Sequence, residues 1–84
     1  MKELLHFSAT WCNPCKKMEP VVQRFIETNS DIKYTKIDVD ENISLASRYE
    51  IKGVPTFIAL VDQEIFSRKS GVLTGQQIQE LFTE

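Results

Sequence analysis

Cysteine is scarce in this sequence, with only Cys12 and Cys15, and histidine is scarcer, with only His6. That count excludes a small secreted scaffold stapled by disulfides. It also leaves a four-ligand zinc site within one chain dependent on His6 and a carboxylate beside the cysteines. No apolar run approaches the ~18 residues of a membrane-spanning helix, so no membrane partner is expected. Glycine and proline number three each, too few and too scattered for a linker or low-complexity tract. Positive charge is not in excess either. Lys and Arg total 10 against 12 Asp and Glu, a net charge of -2, which argues against a nucleic-acid partner. The stretch Met1 to Ser8 holds no long apolar segment followed by small residues, so no signal peptide is read and a reducing cytoplasm is the expected compartment.

What is present reads as one ordinary domain spanning residues 1–84, at 42% hydrophobic, 26% charged and 10% aromatic. Leu4-Leu5-His6-Phe7 is a mostly apolar run before a turn and predicts a buried strand over about residues 2–8. From Pro14 to Thr28, Met18, Val21, Val22, Phe25 and Ile26 recur at one helical face, with Pro20 expected to kink the helix. Residues 32–39 alternate and are rich in strand formers, and residues 42–49 carry Ile43, Ala46 and Tyr49 at helical spacing. After Gly53-Val54-Pro55, residues 56–61 form a second apolar strand. Asp62-Gln63 offers a tight turn into a return strand over residues 65–69. Thr74-Gly75-Gln76-Gln77 has the form of a capping box opening a last helix that carries Ile78, Leu81 and Phe82. The order β-α-β-α-β-β-α predicts an α/β fold with a mixed four-stranded sheet and helices on both faces. Each strand–helix–strand passage is expected to pair in parallel and the hairpin antiparallel.

The chemistry is concentrated in Trp11-Cys12-Asn13-Pro14-Cys15-Lys16-Lys17, which follows a predicted strand and opens a predicted helix. There the unpaired backbone N–H groups and the helix dipole favour a negative sulfur at Cys12. Pro14 suits a first helical turn, because the N–H it lacks has no partner there. Cys12 is expected to be exposed, with Cys15 one turn further in. A thiolate at Cys12 attacks a disulfide, and Cys15 then resolves the mixed disulfide. Three plainer readings compete. A structural disulfide would close too small a loop to stabilise much. Half a zinc site lacks partners. Inert core cysteines flanking Asn-Pro at a helix start would be a coincidence.

Phe7-Ser8-Ala9-Thr10-Trp11-Cys12-Asn13-Pro14-Cys15-Lys16 resembles the active-site segment of the thioredoxin family, which usually reads Trp-Cys-Gly-Pro-Cys-Lys. Val39-Asp40-Glu41-Asn42, then Tyr49 to Phe57 with Gly53-Val54-Pro55-Thr56, is similar to the family's stretch ending in its cis-proline. Ser70-Gly71-Val72 resembles the glycine before its last helix. The resemblance runs from about residue 3 to 84 and implies a minimal thioredoxin fold that reduces protein disulfides through a reversible Cys12–Cys15 pair, without any further cofactor or metal. It implies Cys12 as nucleophile, Cys15 as resolving thiol and a cis Pro55 packed against them. Trp11, Asn13, Pro14, Val54, Thr56, Gly71 and Val72 would line the substrate groove. Implied partners are a thioredoxin reductase-type electron donor and disulfide-containing proteins, met by a monomer.

Four departures stand out. A usual member has a further strand and helix before the segment that begins here. His6 takes the place of a buried aspartate, Ser8 that of an aromatic residue, and Asn13 that of the glycine between the cysteines. Lys36 matches a lysine near the buried acid. His6 is either a core histidine bonded to backbone or the proton acceptor for Cys15, since imidazole titrates near neutral pH. Lys36 is either a strand-surface lysine or catalytic support. The run Asp38-Val39-Asp40-Glu41 reads as a strand end leading into a helix start rather than a metal site. Two other functions remain as alternatives: a glutaredoxin-like, glutathione-dependent reductase, although Cys-Pro-Tyr-Cys and a Gly-Gly pair are absent, and a non-catalytic binding subunit.

Overall fold

The computed structural model describes residues 1–83. In chain order they form β1 (Lys2–Ser8), α1 (Asn13–Thr28), β2 (Ile32–Asp38), α2 (Ile43–Arg48), β3 (Thr56–Val61), β4 (Glu64–Ser70) and α3 (Gly75–Glu80). The strands make a mixed sheet in the order β2-β1-β3-β4. All seven expected elements are present, and their bounds differ from the sequence reading by a residue or two, where helices and strands fray. α3 ends sooner, with Leu81 as its C-cap and Phe82 beyond it.

One pairing differs from expectation. β1 and β2 are parallel, but β3 runs antiparallel to β1, with His6 opposite Phe57, and does not pair with β2. The second crossover therefore begins and ends at the same end of the sheet. α2 has six residues and climbs only about 9 Å, whereas a strand of seven residues covers about 23 Å. So short a helix does not carry the chain back along a strand. The hairpin is as expected: Asp62 and Gln63 both have positive φ, 53° and 71°, which matches the twist of the strands they join.

Side chains alternate across β1 and so feed two cores. Leu4 joins Met18, Val22, Phe25, Phe57 and Ile78 beneath α1 and α3. Leu5 and Phe7 join Ile37, Ile58 and Leu60 on the opposite face, covered by Leu45, Tyr49 and Ile51. α1 runs unbroken through Pro20, and its buried stripe is Cys15, Met18, Val22 and Phe25. The Thr74 capping box is formed in full: Gln77 N donates to Thr74 Oγ1 at 3.1 Å, and the Thr74 amide donates to Gln77 Oε1 at 2.9 Å.

Candidate active site

β1 delivers the chain to one end of the sheet, and a tight turn closed by Cys12 N donating to Ala9 O (3.1 Å) starts α1 there. Cys12 is the N-cap. Its Sγ accepts the Cys15 amide N–H at 3.1 Å, as a serine or aspartate oxygen does in an ordinary cap. The first turn of α1 holds no acidic residue, and Lys16 and Lys17 follow Cys15 directly. All of this favours negative charge on Cys12. Cys12 and Cys15 are joined as a disulfide, with Cα atoms 5.3 Å apart.

The expectation of an exposed Cys12 is corrected. Cys12 is 3% exposed and Cys15 1%. Both pack with Ala9, and Val39 and Val54 close over them. A helix start at the sheet end would leave the sulfur open by itself; the loop before β3 covers it. That loop carries the expected cis peptide, Val54–Pro55, and the Gly71 amide donates to Pro55 O at 2.8 Å. Gly71 sits at φ +99°, where only glycine is comfortable.

The residues expected around a groove divide. Trp11 is 66% exposed, and its Nε1 donates to Asp40 Oδ2 at 2.9 Å. Trp11 and Val54 line a shallow cavity of about 200 Å³ with Val39, Ala46 and Ile51. Asn13 and Pro14 are exposed on the first turn of α1, and Val72 is exposed after Gly71. Thr56 is different: it is buried, and its hydroxyl donates to Gly53 O (2.6 Å) and bonds Ser70 Oγ (3.0 Å). Its hydroxyl is turned to the loop backbone and to β4 rather than to the surface. Asp38 is consumed by a turn, accepting the Asp40 amide at 2.8 Å, consistent with a strand end leading into a helix start.

His6 lies fully buried on the α1 face of the sheet, stacked on Phe57 with ring centroids 4.4 Å apart. Its Nδ1 bonds the Tyr34 hydroxyl at 2.9 Å rather than backbone. Among the described residues Nε2 has no partner. Burial, then the positive charge of Lys36, push the imidazole pKa down to about 4, against a smaller opposing effect of Glu19. The expectation that it titrates near neutral pH is thereby corrected: desolvation disfavours the imidazolium. Lys36, beside His6 in register, bridges to Glu19 on α1, and this pairing holds the Glu19 carboxyl below its ordinary value. Ser8, small where an aromatic residue is usual in the resembling family, borders a cavity of about 340 Å³ that Lys16, Glu19, Lys36 and Asp38 also line.

Sequence reasoning missed Tyr34 and Glu19. A signal existed for the first: alternation along β2 puts Ile32, Tyr34 and Lys36 on one face. The register that sets them beside Leu4 and His6 is not written in the strand itself.

The comparisons with known proteins agree with this geometry. The thioredoxin family model matches residues 1–84. Chloroplastic thioredoxin Y2 of Arabidopsis thaliana is 41% identical over 78 residues, which are 92% of this chain and 47% of that protein. Thioredoxin of Bacillus subtilis is 38% identical over 79 residues, 93% of this chain and 76% of that one. The chain thus spans about half the length of the Arabidopsis relative, and three quarters of the bacterial one. Among solved structures, a mutant thioredoxin from Halobacterium salinarum superposes with a TM-score of 0.88 at 40% identity, covering 99% of this chain and 75% of that one. With the cysteine pair at a helix start, the cis-proline loop against it and the family model matching residues 1–84, the chain belongs to the thioredoxin family.

Proposed function

We propose that this protein is a thiol–disulfide oxidoreductase that reduces protein disulfides, with Cys12 as nucleophile and Cys15 as resolving thiol. The observation that carries the reading is the cap: Cys12 Sγ accepts an N–H of the helix it starts, so the same hydrogen bond and dipole that hold the disulfide favour a Cys12 thiolate once it is reduced. That thiolate attacks one sulfur of a substrate disulfide and expels the other as a thiol. Cys15 then attacks Cys12 Sγ, the second substrate thiol leaves, and the Cys12–Cys15 bond re-forms. In this reading Trp11 and Val54, which line the shallow cavity, meet an extended substrate segment, helped by the exposed Val72 that follows Gly71. The redox-active disulfide is the only cofactor this chemistry requires.

A monomer with a reductase of the thioredoxin-reductase type as electron donor completes the reading, in a reducing compartment such as the cytoplasm. The test is reduction of insulin disulfides driven by such a reductase, beside reduction of a glutathione mixed disulfide. Fast turnover in the first and slow in the second is expected; the reverse order would favour a glutaredoxin-like activity. In the reduced protein at neutral pH, iodoacetamide should label Cys12 well before Cys15. Equal labelling would overturn the assignment of roles.

A further inference from the structure

The segment that closes over the cysteines has to be held at both of its ends. Residues 51–55 form neither helix nor strand. Ile51, Lys52, Gly53 and Val54 line the shallow cavity beside Trp11, and Val54 packs on the cysteine pair. The far end is tied to the sheet by the Thr56 hydroxyl on Gly53 O and by the Gly71 amide on Pro55 O. The near end hangs from α2, which is itself loosely held. It has six residues, none of them buried, and its N-cap Asn42 makes no side-chain capping bond.

The hold is concentrated at the C-terminus of α2. The Glu50 amide donates to Ser47 O at 3.0 Å and the Ile51 amide to Ala46 O at 2.9 Å, the two bonds of a Schellman turn. Such a turn places the residue after the cap in the left-handed region, where glycine is usual. Here it is Glu50, at φ 55°, and a side chain is strained there. The next two carbonyls are taken by one side chain from across the sheet. Arg68 of β4 donates from Nη1 to Tyr49 O at 2.6 Å and from Nη2 to Glu50 O at 3.4 Å, the first bond short and charge-assisted, the second long. Arg68 stands opposite Ile58 and so shares the α2 face of the sheet. It makes no ion pair among the described residues, so these two carbonyls are where its charge is directed.

We propose that Arg68 is a positioning residue for substrate binding: it clamps the strained Glu50 turn and so fixes residues 51–54, the surface that an extended substrate meets. The inference rests on the oxidoreductase reading. Arg68 touches no substrate and acts through the backbone of Tyr49 and Glu50. A planar guanidinium reaches two successive carbonyls with one rigid fork, which a lysine ammonium does not, so the residue type matters as well as its charge. Without the clamp the turn is free to leave the left-handed conformation, and the segment after it loses its fixed approach to the cysteines. The two consequences are of opposite sign. A small reagent reaches Cys12 more easily, because Val54 covers it less of the time. A protein substrate binds less well, because the surface it meets must be ordered at the moment of binding.

The test uses the full chain with Arg68→Ala, Arg68→Lys, and Arg68→Ala combined with Glu50→Gly. In the disulfide form, the Glu50 and Ile51 amides should exchange with heavy water about tenfold faster in Arg68→Ala, while those of β1 and β3 keep their parental rates. In the reduced protein, iodoacetamide should label Cys12 about threefold faster with Cys15 unchanged, whereas general unfolding would expose both. In reductase-driven reduction of insulin, KM should rise about fivefold at unchanged kcat, with only partial recovery in Arg68→Lys. Glu50→Gly removes the strain of the turn, so in the Arg68→Ala background it should restore both the exchange rates and KM; loss of a surface charge would not be repaired this way. Parental exchange at Glu50 and Ile51 in Arg68→Ala overturns the clamp. Faster exchange with a parental KM and parental Cys12 labelling overturns its role in substrate binding. A parent protein that reduces no insulin overturns the oxidoreductase reading instead, and the exchange and labelling arms still decide the clamp.

Discussion

The two faces of the sheet differ in what they bury. Beneath α2 the core is hydrocarbon throughout: Leu5, Phe7, Ile37, Ile58 and Leu60. Beneath α1 the apolar core of Leu4, Met18, Val22 and Phe57 ends, toward the cysteines, in a fully buried imidazole with one nitrogen unpartnered among the described residues. A buried polar atom left without a partner costs about 1–3 kcal/mol, whereas burying each large apolar side chain contributes about 1.5–3 kcal/mol. Among the described residues the α2 face buries no unpartnered polar side chain, although Val39, Ile51 and Val54 at its margin also line the cavity beside the cysteines. The other gives up stability at the end where the chemistry is proposed, a division expected where function requires strain or polarity.

The sharpest way to break this contrast is at the cysteines. Cys12→Ser should abolish disulfide reduction, and Cys15→Ser should stop at a mixed disulfide that mass spectrometry detects, with the fold intact by circular dichroism. Next comes the hydrocarbon face. Phe7→Ala should cost about 3–5 kcal/mol in chemical denaturation, yet leave the iodoacetamide preference for Cys12 in the folded protein unchanged. A loss of that preference would show that the two faces are not separable.

The third prediction concerns pH. The folded pKa of His6 is about 4 against an ordinary 6.5, so the unfolded chain binds the proton more readily. Stability is then fully present above pH 6.5 and is lost as pH falls toward 4. The full difference is about 3 kcal/mol. His6→Leu should lose about that much less than the parent between pH 7 and pH 4 in urea titrations. Equal losses would mean that His6 is not the group responsible. The same low pKa puts any acid-side fall in activity due to His6 near pH 4 and not near neutrality, which a pH–rate profile of the mixed-disulfide step reads directly.

The smallest effect is expected at the surface. Glu19→Gln breaks the bridge to Lys36, but both side chains are about half exposed, so stability should shift by no more than about 1 kcal/mol, and less in high salt. Its clearer signature is on His6, whose pKa should fall further, because Glu19 is the one charge nearby that raises it.

Local pattern was enough to set the seven elements in order, because each has its own period, cap or turn: the stripe from Met18 to Phe25, the Thr74 capping box, the Asp62-Gln63 turn. The cysteine pair at a helix start was legible for the same reason, since a cap and its first turn are contiguous in the chain. What the tertiary structure alone decided depends on residues far apart in sequence. The direction of β3 follows from a crossover that returns to the end it left, and from pairing with β1. Cys12 is buried because Val39 and Val54 arrive from other elements. The neutrality of His6 follows from desolvation and from Lys36 across a strand register, and its bond to Tyr34 spans 28 positions. Backbone propensity is local, but burial and charge act through space, and only the folded chain fixes those distances.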